Sequence, residues 1–131
     1  MVKNKPVHES EYIVMELKDG ILHCSYPKDL IVTMDVARVI VDERREYTKG
    51  IPYPALIDMS GIKNAKMDAM KYWASEESYV GLSKIAIVSN KGLVSKILIN
   101  FWFKIDKPFK PTKFFKDEGT ARIFLMDLVS N

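Results

Sequence analysis

The segment Leu56-Ile57-Asp58-Met59-Ser60-Gly61 sets an acid, a serine and a glycine directly after an apolar run of strand length. Ile62-Lys63-Asn64-Ala65-Lys66 follows, and then a helical pattern begins. Ligands of open sheets bind beyond the carboxyl ends of parallel strands, and helix N-termini favour negative charge. A second junction of the same kind reads Val88-Ser89-Asn90-Lys91-Gly92. Ser60, Lys63, Asn64, Lys66, Ser89, Asn90 and Lys91 are therefore the candidate lining of a crevice for an anion or a small ligand. The plainer alternative is that they are the polar loop and cap residues any such protein carries.

Other chemistry finds little support. His8 falls in a polar start and His23 on a strand, and neither has a serine or cysteine with an evident third partner, as a nucleophilic triad needs. Cys24 follows His23 directly, and successive strand residues point to opposite faces, so the two are not a pair. Two histidines, one cysteine and scattered acids show no metal-ligand spacing. No glycine-rich phosphate loop occurs. The expectation is a protein that is not an enzyme and carries no cofactor and no metal.

A third pattern concerns surface. In the helix expected over 93–105, Leu93, Val94, Ile97, Leu98, Phe101 and Ile105 supply a core stripe, yet Ile99, Trp102 and Phe103 project elsewhere. A helix apolar nearly all round is buried on more than one side. A second protomer, an apolar ligand or membrane, or the chain's own loops would each cover the surplus. Lysines then recur at every third residue, from Lys104 through Lys107, Lys110 and Lys113 to Lys116. Three residues per turn is the period of a polyproline segment, so Lys107, Lys110 and Lys113 would align beside Trp102. Each lysine near an anionic leaflet contributes about 1 kcal/mol, which makes such membrane contact weak and reversible. Solubilising lysines on an edge segment are the plain reading. Phe109, Phe114 and Phe115 fit core and strand positions better than a stacking platform, so no nucleic-acid partner is expected.

The elements that would position these groups follow from the pattern. The chain has 131 residues, 47% hydrophobic and 28% charged, with a net charge of +3, which points to one globular domain and leaves partners unread. One cysteine excludes an internal disulfide. No signal-peptide core or membrane span is evident, so the expected location is cytoplasmic, with peripheral membrane association as the extension of the lysine argument. Residues 1–10 read as a loose tail ahead of a domain over 11–131. Runs 11–17 and 21–26 flank Lys18-Asp19-Gly20, a strong hairpin signal. Leu22, Cys24 and Tyr26 share the core face of the second strand. Thr33 caps a helix to about Tyr47, with Val36, Ala37, Ile40 and Tyr47 on its inner side and Gly50 ending it. A strand over 56–59, a helix over 66–75, a strand over 82–88, the 93–105 helix, a strand over 112–115 and a helix capped by Asp117 complete the order. That order predicts an α/β fold, a mixed sheet of about five strands with about four helices.

Taken together, Asp19-Gly20-Ile21, Tyr53-Pro54 ahead of the Leu56–Gly61 junction, Lys96 to Phe103 leading into Lys107-Pro108, and Pro111-Thr112-Lys113-Phe114-Phe115 resemble the SpoIIAA-like branch of the STAS domains, the anti-sigma-factor antagonist fold. The likeness covers about residues 11–128 and extends to the lipid-binding half of the CRAL-TRIO fold. It implies a binding or regulatory role. In signalling members a serine opening the second helix is phosphorylated; the matching positions here read Lys66-Met67-Asp68-Ala69, without a hydroxyl. Asp68 is then a phosphoserine-like acid or simply a favourable first-turn residue. The leading expectation is a non-enzymatic module acting through protein–protein or peripheral membrane contacts, as a homodimer or with an unidentified protein partner. The alternative is a carrier of a small apolar or anionic ligand in the crevice.

Overall fold

The computed structural model describes residues 2–89 and 110–127. Their order is β1 (Lys5–Glu9), β2 (Val14–Lys18), β3 (Ile21–Ser25), β4 (Leu30–Val32), α1 (Met34–Thr48), β5 (Tyr53–Asp58), β6 (Ile62–Ala65) and α2 (Met67–Trp73). A 3-10 turn (Glu76–Tyr79), β7 (Leu82–Val88), β8 (Thr112–Phe115) and α3 (Glu118–Met126) follow. Six strands form one mixed sheet in the order β1-β2-β3-β5-β7-β8, and β4 and β6 form a separate two-stranded ribbon.

The hairpin between β2 and β3 turns at Asp19 (φ 52°) and Gly20 (φ 79°), the double positive φ that this turn requires. From β3 onward the main sheet is parallel: β3 pairs β5, β5 pairs β7 and β7 pairs β8. Parallel strands with helices on both faces bury both sides, which is why β5 and β7 read as continuous apolar runs. On one face Leu22, Cys24, Ala55, Ile57, Ile85 and Ile87 share a core with Ala37, Ile40 and Val41 of α1 and with Ala69, Met70 and Trp73 of α2. On the other, Ile21, Leu56 and Ala86 pack with Ala121 and Leu125 of α3. Thr33 caps α1, accepting from the Val36 N–H, and Asp117 caps α3, accepting from Thr120. α1 ends in two left-handed residues, Lys49 (φ 57°) and Gly50 (φ 75°), one residue sooner than the glycine alone suggests.

The mixed α/β architecture is the expected one, and three details differ. Residues 5–9 are not a loose tail: they add β1 to the edge of β2, with His8 opposite Met15 and Glu9 opposite Val14. The Tyr47 hydroxyl fastens this edge, lying 2.9 Å from the Pro6 carbonyl while accepting from the Leu17 N–H at 2.8 Å. The extra strand is why the main sheet has six strands rather than five. Secondly, residues 62–65 are strand rather than loop, because Ile62 and Ala65 turn inward and Ile31 and Val32 pair with Asn64 and Ala65. Thirdly, α2 is shorter than expected and gives way to the 3-10 turn at Glu76. The helix expected over 93–105 lies outside the described residues.

Gly61 holds ribbon and sheet together. A β-carbon there would stand 2.2 Å from the Tyr26 carbonyl oxygen and 2.7 Å from that of Pro27, both backbone atoms that cannot step aside. Gly61→Ala is expected to destabilise the fold at the upper end of the about 1–3 kcal/mol typical of overpacking. Urea unfolding measures it, with Gly50→Asn as the comparison: nothing lies within 4 Å of that position, and asparagine tolerates its φ. Equal, small losses for both variants would refute the close-approach account.

Candidate functional site

The inward stripe of α1 is Ala37, Ile40, Val41, Arg44 and Thr48, a helical i, i+3, i+4, i+7 spacing with an arginine in the middle. Arg44 is only 4% exposed. Its Nε donates to the Val80 carbonyl at 3.2 Å, and one Nη donates to the Ser78 carbonyl. The guanidinium thereby anchors the turn that leads into β7. Thr48, one turn on, donates to the Arg44 carbonyl at 2.9 Å and meets the same turn at Gly81. A β-carbon on Gly81 would lie 2.6 Å from the Thr48 Oγ1, and the residue's φ of 82° also calls for glycine.

Arg44 forms part of the wall of a cavity of about 40 Å³ beneath the sheet. Ile57, Met59, Leu82, Ile85 and Ile87 give it an apolar ceiling from β5, β7 and the residue after β5. Tyr26, Trp73, Ser78, Tyr79 and Thr112 complete the lining. The Tyr26 and Trp73 rings are tilted neighbours, 6.2 Å between centroids. Trp73 is 7% exposed, and its indole N–H is buried with no hydrogen-bond partner among the described residues. The volume suits roughly two or three waters, or one very small molecule.

Burial fixes the protonation states nearby. It pushes the Cys24 thiol up to about 12, with Arg44 pulling weakly the other way. It also raises the Tyr26 phenol well above its ordinary value, assisted by Cys24 and Asp58 and opposed by Arg44. Tyr72 rises to about 12 through burial and its hydrogen bond with Glu77. Burial lowers Arg44 from its ordinary value, but an arginine stays cationic at neutral pH. The cavity wall therefore holds a permanent cation, Arg44, and a neutral phenol, Tyr26, with Cys24 buried in the core outside the lining.

The residues expected to form a crevice lie elsewhere. Ser60 follows β5, half-buried, its N–H donating to the Asp58 carboxylate at 2.9 Å. Ser89 follows β7 in the neighbouring position, and Met59 donates to the Val88 carbonyl at 2.8 Å, so these two strand ends do meet. Lys63 and Asn64 are exposed on β6, and the Asn64 side chain accepts from the Ala65 N–H at 2.9 Å. Lys66 precedes α2 without a side-chain cap. Asp68 is exposed in the first turn of α2, accepting from the Ala69 N–H at 2.8 Å. Asn90, Lys91, Ile99, Trp102, Phe103 and Lys107 lie outside the described residues. Lys110 is half-buried just before β8, and Lys113 is exposed on β8 with its Nζ 5.3 Å from the Phe124 ring centre. His8 bonds to Glu43 at 2.8 Å, and His23 stands 3.4 Å from Arg122 of α3, on the sheet face opposite Cys24. Arg44 and Trp73 were not among the expected site residues. An arginine in the apolar stripe of α1 is the signal that points to the first, whereas Trp73 reads from sequence simply as core.

A family profile described as "Domain of unknown function (DUF7793)" matches residues 15–129, and the chain belongs to that family. Among solved structures, an uncharacterized protein of the DUF3478 family with a SpoIIAA-like fold, from Shewanella loihica PV-4, is similar at 18% identity and a TM-score of 0.54. The likeness spans 92% of this chain and 90% of that one, and it establishes a SpoIIAA-like fold. No curated protein matches the chain. No helix among the described residues is long and apolar enough to cross a membrane.

Two outcomes follow from the buried groups. The Tyr53 hydroxyl is buried with no hydrogen-bond partner among the described residues, so Tyr53→Phe is expected to leave stability equal or raised by up to about 1–2 kcal/mol in urea unfolding. For Cys24 the folded value exceeds the unfolded one, near 9.0, so its contribution to stability is complete below that pH and is lost as pH climbs toward about 12. Alkylation by iodoacetamide at pH 8 is expected to be at least about 100-fold slower in the folded than in the urea-unfolded chain. Comparable rates would show that Cys24 is not sealed in the core.

Proposed function

We propose that this DUF7793 domain is a non-enzymatic binding module whose ligand, a small molecule, sits in the cavity walled by Arg44 and Trp73. Of the two functions expected from the sequence this is the carrier reading, moved from the strand ends to the space beneath the sheet. The observation that carries it is the make-up of the cavity: largely apolar walls with a few polar residues among them, Arg44, Ser78 and Thr112. Pockets that select a ligand are built in this way.

Protonation states support binding over turnover. General acid–base catalysis wants a group that titrates near the working pH. Here burial drives Tyr26 upward and Arg44 remains charged, so these two lining groups hold their protons across the neutral range. The fold likeness supports the same class, since SpoIIAA-like domains resemble regulatory rather than catalytic proteins.

Hyperpolarised xenon, a neutral atom that enters small apolar cavities, tests whether this one is accessible. The native protein is expected to shift the xenon NMR signal saturably, and Ile57→Phe, which fills the cavity, is expected to abolish the shift while keeping the native circular dichroism spectrum. Native mass spectrometry of gently purified protein is expected to show a small adduct in wild type and none in Ile57→Phe. Absence of both the xenon response and the adduct in wild type would sink the reading.

A further inference from the structure

Two hairpins share β2, and their turns differ. The turn from β2 to β3 places Asp19 and Gly20 at positive φ, the hand that matches the twist of paired strands. The turn from β1 to β2 runs through Glu11 and Tyr12, with the Ser10 N–H donating to the Ile13 carbonyl at 3.0 Å, and neither central residue has a positive φ. Turns of that hand splay the strands they join. The pairing of β1 with β2 does slip, its register shifting between Lys5 and His8, whereas β2 pairs β3 residue for residue. The bonds from the Tyr12 and Ile13 N–H groups to the Ser10 Oγ are long, 3.3 and 3.4 Å. What fastens β1 lies instead on the body of the domain. Its backbone pairs with β2, Lys5 donates to the Tyr47 carbonyl at 2.6 Å, the Tyr47 hydroxyl donates to the Pro6 carbonyl at 2.9 Å, and His8 bonds to Glu43 at 2.8 Å. No residue of β1 is fully buried, so the strand can leave without carrying a core side chain with it.

We infer that β1 is exchanged between two copies of this chain: the hairpin opens at Glu11 and Tyr12, and each β1 pairs with the β2 of the other copy. Residues 5–18 then run on as one extended strand, antiparallel to the same strand of the second copy. Every contact that fastens β1 is remade across the two-fold axis by the same atoms, and only the poorly matched turn is lost. Short connections that suit their strands badly favour such exchange. Because β1 is the first strand of the chain, one connection has to open and no other. The partner is a second copy rather than an unrelated extended peptide. A foreign strand could supply the backbone bonds, but Lys5 and His8 are the side chains that the Tyr47 carbonyl and Glu43 receive. The exchange is independent of the cavity, to whose lining neither β1 nor β2 contributes.

For the test, the full chain is unfolded in urea and refolded at low micromolar and at near-millimolar concentration, and the products are separated by size exclusion with light scattering. A variant carrying Glu9→Cys and Val14→Cys, positions that stand opposite one another in the register, is refolded under reduction and then oxidised. Exchange makes that disulfide join two chains, whereas a closed hairpin makes it within one. The expected result is a dimer fraction that grows with concentration and runs as a covalent dimer on a non-reducing gel. Glu11→Gly, at an exposed position, supplies the residue that a type II′ turn takes first, and it is expected to lower the dimer fraction at least fivefold. Deleting Glu11 and Tyr12 leaves no room for a turn and is expected to make the dimer the main product. A wild-type chain that stays monomeric at both concentrations would overturn the exchange. So would a dimer whose disulfides all lie within single chains, since its contact would then be elsewhere. Should the cysteine variant fail to fold, Glu11→Gly decides: a dimer fraction that it leaves unchanged overturns the exchange.

Discussion

The arrangement depends on a cation held in the core. Arg44 reaches from α1 beneath the sheet to the carbonyls of Ser78 and Val80, and so fixes where the chain re-enters the sheet as β7. β7 in turn is the strand on which β5 and β8 both pair. Hydrogen bonds from a charged donor are stronger than neutral ones, yet the same burial makes the charge expensive to hold. Those two facts pull in opposite directions at one residue. The balance gives the cavity its character: a polar point inside an apolar shell, with Trp73 facing the same space.

Around that point the fold is ordinary layered packing. α1 and α2 cover one face of the sheet and α3 the other. The ribbon of β4 and β6 lies outside the main sheet and is seated by the contact of Gly61 with Tyr26 and Pro27. Tyr26 is therefore shared between the ribbon's seat and the wall of the cavity. The N-terminal strand closes the far edge, where Tyr47, Lys5 and the Glu43 pair hold it to α1.

Much of this could be read from residues alone, for reasons that are local. Asp19-Gly20 dictates a turn, Thr33 and Asp117 dictate helix starts, and the apolar runs 56–59 and 82–88 mark two buried strands, the first of which in fact spans Tyr53–Asp58. What escaped was whatever depends on contacts distant in the chain. β1 carries Pro6, Lys5 and two half-exposed faces, and only pairing with β2 makes it a strand. Residues 62–65 looked like loop because Lys63 and Asn64 are polar, but their neighbours Ile62 and Ala65 supply the burial. Arg44 is the sharpest case. The sequence places Val36, Ala37, Ile40 and Tyr47 inward and leaves Arg44 on neither face, because nothing local marks the backbone carbonyls of Ser78 and Val80 that wait inside. The strand-end serines, Ser60 and Ser89, do come near one another, but the cavity lies beneath the strands, in a place no spacing rule marks.

The meeting of Thr48 with Gly81 bears on how this protein can diverge. The hydroxyl that ends α1 fills the room a side chain at 81 would need, while the backbone there already demands the conformation that glycine adopts most readily. Positions thirty-odd residues apart are thus one unit of inheritance. A change at either is judged against the residue present at the other, so their effects do not simply add. Lineages that enlarge one must first shrink the other, and the order in which such substitutions arise is constrained by atoms in direct touch.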